Sequence, residues 1–258
     1  RKRILIPPHA GHALPVAHYH GDQPALRREV FVRVANLLFK KFPRVRIGLF
    51  AKADSCSSDE ECAFRLGFGK VTKLNQVHGN LIHIAEKMNG IADGDGLTTA
   101  TPGLALSIRF ADCQAFAAYA PEKKVLGLIH AGWRGMAANV ITKFFEALEE
   151  TFEIAPSETY VYAAPSLCRK CAVFSDPYEE LPKHLHPFIG RNSAWAKAHA
   201  TTVDLRAAAD AALDALGIPG EKRERHPSCT KCDPSFWSWR RDNSAIARNY
   251  LVAGMTFR

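Results

Sequence analysis

The chain has 258 residues, of which 47% are hydrophobic and 23% are charged, as is ordinary for a globular protein of one large domain or two small ones. It has no internal repeat, heptad pattern or low-complexity segment, and no apolar run approaches the length of a membrane span. The net charge is +8, and the excess lies in the first 75 residues, which carry 14 Lys and Arg against 6 Asp and Glu. These basic residues are scattered and lack interleaved aromatics, so we interpret them as a solvated surface and do not expect a nucleic-acid partner.

The cysteine content bears on the cellular compartment. Seven cysteines is an odd number, so a complete disulfide framework is not expected. A basic start followed by Ile4, Leu5 and Ile6 resembles a secretion signal, but Pro7 and Pro8 interrupt the apolar segment too early. We therefore expect a reducing, cytoplasmic location and no membrane attachment.

Hydrophobic periodicity predicts strands and helices that alternate along most of the chain. Residues 7–24 are rich in Pro, Gly and His and are predicted to be irregular, so their histidines are interpreted as loop residues rather than metal ligands. Residues 55–61 are predicted as a loop or a helix start, and residues 93–96 as a turn, because the twelve-residue spacing of a calcium loop is absent. In chain order, the other predicted elements are a helix over 24–42, strands over 45–50, 71–77, 81–85, 104–110, 115–119 and 125–129, a helix from Met136 to Leu148, a strand over 159–164, a helix over 204–216, and strands over 236–239 and 250–257. No linker separates them, which favours one α/β or α+β domain.

The segment over residues 129–135 is the centre of the functional interpretation. It begins where a buried strand ends at His130, passes through a turn that contains Gly132 and Gly135, and leads into a helical pattern. Free N–H groups at the start of a helix attract anions, and Arg134 can add a forked donor. The structural alternative is a packed Trp133 in a strand-to-helix turn, with His130 merely hydrogen-bonded.

Two histidines and one cysteine occupy chain reversals that follow predicted strands: His78, Cys113 and His130. If they gather at one rim of a sheet, two imidazoles and one thiolate suit a zinc ion with its fourth position open, which is the catalytic pattern. Without zinc, Cys113 beside either histidine could be a nucleophile with its base, and all three could also be purely structural. Asp112 could orient a histidine, accept a proton or satisfy a turn.

Two Cys-x-x-Cys pairs and an aromatic–basic stretch leave further alternatives open. The pairs at 168/171 and 229/232 could together form a closed four-cysteine zinc site, or each could be redox-active. Arg240 and Arg241, which follow the aromatic residues of 236–239, would suit a base or a phosphate, or could end a core strand in a surface ion pair.

Five motifs in order then point to a family: NQVHG at 75–79, ADGD at 92–95, ADC at 111–113, HAGWRG at 130–135 and SWRRD at 238–242. They resemble those of the laccase-domain family, first labelled multicopper polyphenol oxidases and later recognised as purine nucleoside phosphorylases. The resemblance runs from about residue 46 to the end of the chain. It implies a single α/β domain with mixed β-sheets sandwiched and flanked by helices, and zinc held by His78, Cys113 and His130. It also implies phosphorolysis of adenosine, inosine and methylthioadenosine, with adenosine deamination as a side activity.

The sequence departs from the family pattern at several positions. The Thr-Arg pair and Gly-Gly-Val-Ser loop that the family carries near its start are replaced by residues 51–54, where Lys52 keeps a charge without the forked geometry of arginine. Phe110 replaces a threonine, Ala164 replaces a glycine, and Ala172 with Val173 replace a Tyr-Glu pair. We therefore predict a metal site in a substrate pocket that has diverged. Residues 1–45 are predicted to be a divergent segment packed on a catalytic domain over 46–258.

The main functional hypothesis is a zinc-dependent purine nucleoside phosphorylase whose substrates are a nucleoside and phosphate, in a monomer or homodimer. The predicted catalytic residues are Cys113, His78, His130 and Asp112, and the predicted substrate or phosphate ligands are Arg134, Lys52, Gln76 and Arg241. One alternative is a Cys/His amide hydrolase of the peptidoglycan-editing type. Another is a non-catalytic binding module that retains zinc and holds an acidic partner through the basic first third of the chain. Oxidation of phenols by several copper ions is disfavoured, because it needs more clustered histidines than these motifs provide.

Overall fold

The computed structural model describes residues 38–190 and 201–257. The predicted helix over 24–42 falls mostly on residues outside these ranges, as does the histidine-rich stretch over 7–24. The strands are β1 Val45–Phe50, β2 Lys70–Thr72, β3 Ile82–Ile84, β4 Gly96–Thr99, β5 Leu104–Phe110, β6 Gln114–Ala120, β7 Val125–Ala131, β8 Tyr160–Ala163, β9 Val173–Phe174, β10 Ile189–Gly190, β11 Thr201–Val203, β12 Arg223–Arg225 and β13 Asn249–Met255. The α-helices are α1 Asp59–Arg65, α2 Trp133–Ala137, α3 Val140–Phe152, α4 Pro177–Glu180, α5 Leu205–Ala215 and α6 Trp239–Asp242.

Two mixed sheets form the body of the domain. The larger has six strands in the order β12-β8-β6-β7-β4-β3, and the smaller has four in the order β1-β13-β5-β2. A third sheet, β10-β11-β9, has three short strands. The central strands β6 and β7 are buried at every position, because both faces of the larger sheet are covered.

Alternate residues of β6 show how the layers are stacked. Phe116 and Ala118 belong to a buried cluster that includes the apolar faces of α3 and α5. Ala117 and Tyr119 point the other way, into a cluster shared with β1, β5 and β13 of the smaller sheet. The far side of the smaller sheet packs on α1, through residues such as Cys62. Two sheets therefore lie between helices, and the predicted α/β class with sandwiched sheets is confirmed.

Strands with a continuous apolar run were predicted accurately, and segments governed by polar side chains were not. The predicted strand over 71–77 ends at Thr72, and beyond it the chain pairs only through an isolated bridge from Asn75 to Asp93. The strand over 236–239 is wrong: Ser238 caps the short helix α6, because its hydroxyl accepts the Arg241 N–H at 3.2 Å. The helix predicted from Met136 to Leu148 is two helices, α2 and α3. The first begins earlier, at Trp133, and contains Gly135, which was predicted to lie in the preceding turn.

The described part of the 1–45 segment packs on the domain. Phe39, in a short 3-10 helix over Leu38–Lys41, is buried, and its ring centroid lies 6.5 Å from that of Tyr119. The domain boundary at residue 45 stays a prediction. Among the described residues, no helix has both the length and the apolar character that a membrane crossing requires.

Candidate metal centre

His78, Cys113 and His130 come together although 52 residues separate the first from the last. His78 lies in the loop between β2 and β3, Cys113 lies in the turn between β5 and β6, and His130 is the penultimate residue of β7. One potential ligand atom of each residue lies within 4.8 Å of those of the other two, and the two imidazole centroids are 4.9 Å apart. This spacing allows one ion to contact all three side chains.

Asp95 holds both histidines in place. Its carboxylate is fully buried and accepts a 2.7 Å hydrogen bond from His130 Nδ1, which leaves Nε2 as the ring nitrogen that can bind a metal ion. The same carboxylate accepts the backbone N–H groups of His78 at 3.0 Å and Gly79 at 2.6 Å. These two bonds fix the left-handed backbone of His78, whose φ is +61°. Asp95 therefore sets the ring orientation of one histidine and the backbone position of the other.

Sequence reasoning missed this role of Asp95. The surrounding ADGD motif was interpreted as a turn, which is correct for the backbone but says nothing about the side chain. A histidine that binds a metal usually donates its second ring N–H to a carboxylate or carbonyl, so each predicted ligand implied such a partner. The ADGD motif, which lies between His78 and Cys113, offered two carboxylates for that role.

The electrostatics of the site favour a thiolate. Burial opposes ionisation of Cys113, but the charge of His130 and the hydrogen bonds from both histidines outweigh it and lower the pKa of the thiol to about 6. Burial also disfavours a charged His130, yet the Cys113 thiolate and Asp95 raise the pKa of its imidazole to about 9. Without a metal, the two groups therefore form a thiolate–imidazolium pair at neutral pH. The thiolate is the form of cysteine that binds metals.

Gly132 provides a second geometric indication of a ligand site. A Cβ atom at this position would lie 2.8 Å from Cδ2 of His78 and 3.0 Å from Sγ of Cys113. The backbone of Gly132 has a φ of −67°, which any residue can adopt, so the restriction is one of space. A side chain here would displace two of the three converging residues. The donor set, two imidazoles and a thiolate around a glycine cradle, fits zinc with an open position.

Asp112 is committed to structural contacts. Its two carboxylate oxygens accept the hydroxyl of Thr230 and the backbone N–H of Arg240, each at 2.7 Å. Its carbonyl accepts the Leu167 N–H at 3.1 Å, and its φ is +88°. The three contacts fix the turn that leads directly into Cys113. They favour a positioning role for Asp112 over the predicted proton transfer.

A cavity of about 840 Å³ lies beside the three converging residues, and all three contribute to its wall. This volume is within the range of about 300–1,000 Å³ that small-molecule sites occupy. Trp133 lines the cavity, and the exposed guanidinium of Arg134 lies over its ring, 4.3 Å from the centroid. Within residues 38–190 and 201–257, no hydrogen bond or ion pair engages that guanidinium. The wall thus offers a forked cation stacked on an aromatic ring.

The other three predicted substrate ligands are engaged elsewhere. Lys52 lies outside the cavity wall, where its ammonium pairs with Asp242 at 3.1 Å and lies 4.4 Å from the Trp237 ring centroid. Arg241 also lies outside the wall and donates to the carbonyls of a surrounding loop, namely those of Thr230, Lys231, Asp233 and Phe236. Both side chains are thus engaged by contacts within the protein, and their role as substrate ligands stays a prediction.

Gln76 lines the cavity, but its amide is paired with the backbone of Arg109 in both directions, at 2.7 and 2.9 Å. Arg109 itself lines the cavity, as does Arg248, and neither was predicted. The signal for Arg109 was an arginine near the end of an otherwise apolar strand. Such a charge is placed there only if it can reach water or a ligand.

The sequence model of the family described as "Multi-copper polyphenol oxidoreductase laccase" matches residues 57–256. The chain belongs to this family. The resemblance drawn from the five motifs is thereby confirmed.

Relatives of known name and structure agree with this assignment. "Purine nucleoside phosphorylase YlmD" of Geobacillus stearothermophilus is 31% identical over 190 residues, which cover 72% of this chain and 67% of the relative. "Adenosine deaminase RL5", from an unknown prokaryotic organism, is 30% identical over 167 residues, covering 62% of each chain. The crystal structure of YlmD from Geobacillus stearothermophilus superposes with a TM-score of 0.71 and 25% identity, covering 84% of this chain and 93% of YlmD.

Proposed function

We propose that this protein is a zinc-dependent purine nucleoside phosphorylase that acts on adenosine, inosine and methylthioadenosine. The observation that carries the proposal is the convergence of His78, Cys113 and His130 in the wall of a cavity large enough for a nucleoside and phosphate. The name of the YlmD relative supports the reaction class. Adenosine deamination, the activity in the name of the RL5 relative, is proposed as a second reaction at the same site.

His78, Cys113 and His130 would hold the zinc ion. When bound, zinc supplies a Lewis acid that polarises a substrate oxygen or lowers the pKa of a water molecule. Asp95 keeps His130 in the tautomer with a free Nε2, and the pKa of about 6 keeps Cys113 ionised near neutral pH. Zinc is preferred to several copper ions because, within the described residues, no second histidine-containing ligand cluster is found.

The cavity wall suits both substrates. A purine can stack on an aromatic face such as that of Trp133, and phosphate can accept paired hydrogen bonds from the guanidinium of Arg134. Arg109 and Arg248 add positive charge to the same wall and replace Lys52 and Arg241 in the proposal. In phosphorolysis a phosphate oxygen bonds to C1′ of the sugar as the bond from C1′ to N9 breaks. The base then leaves with the bonding electrons and is protonated.

An activity assay tests the proposal. Purified protein is incubated with adenosine, inosine or methylthioadenosine, with and without phosphate, and the free base and sugar phosphate are quantified. We expect base release that depends on phosphate, is lost on chelation and is lost in Cys113→Ala. Cys56→Ser is the matched control, since Cys56 lies in neither candidate metal cluster. Base release without phosphate, or full activity in Cys113→Ala, would refute the assignment.

A thiol hydrolase is the second candidate, and one observation favours it. Cys113 has a lowered pKa and contacts the imidazole of His130, and Asp95 orients that imidazole. This is the arrangement of a nucleophile, a base and an orienting acid. Such an enzyme would cleave amides of the peptidoglycan-editing type. It would survive chelation and be inactivated by alkylation of Cys113, whereas the phosphorylase would lose activity on chelation.

A further inference from the structure

We propose that Cys168, Cys171, Cys229 and Cys232 bind a structural zinc ion, distinct from the His78, Cys113 and His130 site. The ion would link two loops that support the cavity wall. This inference goes beyond the proposed function and does not depend on it. We refer to the four residues as the four-cysteine cluster.

The geometry of the sulfur atoms carries the proposal. All four Sγ atoms lie within 4.8 Å of one another, and those of Cys171 and Cys232 are 3.4 Å apart. In a tetrahedral site with Zn–S bonds of about 2.3 Å, the sulfur atoms are separated by about 3.8 Å. The cluster therefore needs only small side-chain movements to surround one ion. Cys171 and Cys229 are buried, whereas Cys168 is half-buried and Cys232 is exposed.

The backbone of each Cys-x-x-Cys pair is shaped for a shared ligand. The Cys171 N–H donates to the Cys168 carbonyl at 2.9 Å, a tight turn that brings both thiols of the first pair to one side. The second pair has a similar turn, in which Asp233 N–H donates to the Cys229 carbonyl at 2.9 Å. Across the two loops, the Cys168 N–H donates to Sγ of Cys229 at 3.2 Å. An N–H donor aimed at sulfur stabilises the thiolate, which is the form that binds zinc.

The two loops are joined independently of the sulfurs, so the cluster is preformed. A parallel bridge pairs Ser166 with Cys229, and Thr230 N–H donates to the Ser166 carbonyl at 3.2 Å. The guanidinium of Arg206 donates to the carbonyls of both Ser166 and Ser228, at 2.5 and 2.6 Å. Its positive charge also lies close to a site where four thiolates around Zn²⁺ carry two negative charges. Both the shape and the charge of the loops therefore suit a closed zinc site.

Thr230, between the two cysteines of the second pair, connects the four-cysteine cluster to the other site. Its hydroxyl donates to the carboxylate of Asp112 at 2.7 Å, and Asp112 precedes Cys113. Leu167, next to Cys168, donates its N–H to the carbonyl of Asp112 at 3.1 Å. A zinc ion at the cluster would thus hold both loops that fix the turn of Cys113.

The test uses the Cys113→Ala variant of the 258-residue chain, in which the histidine site has no thiolate. We expect this variant to retain one zinc per chain, and Co²⁺ exchanged for that zinc to show an intense thiolate-to-metal charge-transfer band. Adding Cys168→Ser and Cys232→Ser should abolish both signals, whereas adding Cys56→Ser should change neither. Removing zinc from Cys113→Ala with a chelator should lower its melting temperature, and adding zinc should restore it.

Three results would overturn the inference. Cys113→Ala could purify without bound metal, its cobalt spectrum could lack the thiolate band, or its melting temperature could stay the same when zinc is removed and added back. Mass spectrometry of denatured, alkylated and unreduced protein would reveal disulfides among the four cysteines, because each disulfide leaves two cysteines without an alkyl group. Such disulfides in the protein as isolated would also contradict the inference. These measurements do not use nucleosides. One zinc in Cys113→Ala, together with no phosphorolysis by the wild type, would contradict the proposed function alone.

Discussion

Replacing Gly132 with alanine should damage the candidate metal centre while leaving the fold intact. The added methyl carbon would lie 2.8 Å from Cδ2 of His78 and 3.0 Å from Sγ of Cys113. Ordinary non-bonded contacts between carbon atoms are about 3.5–4.0 Å, so each neighbour must retreat by roughly 0.7 Å. Metal–ligand distances tolerate deviations of only about 0.2 Å. Two of the three ligands are therefore displaced beyond that tolerance.

The expected loss of zinc affinity in Gly132→Ala is taken from substitutions with a comparable effect on metal ligands. Changes to residues that orient metal ligands lower metal affinity by about 10–100-fold, and we expect a loss in that range for Gly132→Ala. Such a loss corresponds to about 1.4–2.7 kcal/mol of binding free energy. Gly132 is the N-cap of α2, where alanine costs about 1 kcal/mol relative to glycine. The melting temperature of the metal-free protein should therefore fall by only about 2–4 °C, which leaves the protein folded.

Zinc affinity would be measured by competition with a chromophoric chelator, and melting by circular dichroism. The matched control is Gly220→Ala, because a Cβ at Gly220 meets no atom within 4 Å and the residue has no positive φ. The reasoning fails if Gly132→Ala binds zinc as tightly as Gly220→Ala. It also fails if Gly132→Ala loses zinc only because the metal-free protein has unfolded.

Three further predictions concern individual side chains of the same site. Asp95→Asn should weaken zinc binding about 10–100-fold, because that carboxylate orients the His130 ring and fixes the His78 backbone. Unchanged affinity in the chelator competition would contradict this. In metal-free protein, alkylation of Cys113 should accelerate as pH rises and level off above a midpoint near pH 6, since its thiol pKa is lowered to about 6 and the thiolate is the reactive form. In His130→Ala the midpoint for Cys113 alkylation should move to higher pH, because the positive charge of the His130 imidazole is gone. Alkylation would be followed by peptide mass mapping, and an unchanged midpoint would show that His130 does not lower the pKa of the thiol. Arg134→Ala should raise the KM for phosphate roughly tenfold or more with a smaller change in kcat, and a KM for phosphate equal to that of the wild type would remove Arg134 from the proposal.

Features that depend on burial alone could be predicted from the sequence, whereas features that depend on a particular side-chain partner could not. Strand β7 was predicted from its apolar run because burial on both faces needs no particular partner. The convergence of His78, Cys113 and His130 was suggested by motif order and by their positions at chain reversals. The role of Asp95 was missed, and Lys52 was assigned to phosphate, because the partner of a charged side chain is chosen by tertiary contacts. In this protein the partner of Lys52 is Asp242, which lies 190 residues away in the chain.

The registers of three strands explain how the side chains of the site are brought together. In the larger sheet, His130 of β7 pairs with Ala115 of β6, which places Cys113 just beyond the end of that ladder. On the other side of β7, Ile129 pairs with Gly96 of β4, and this register brings the preceding Asp95 beside His130. A shift of either pairing by one residue would turn His130 to the opposite face of the sheet. The two registers therefore specify the positions of the cysteine, the histidine and its carboxylate together. Substitutions elsewhere leave the site in place as long as they keep those registers.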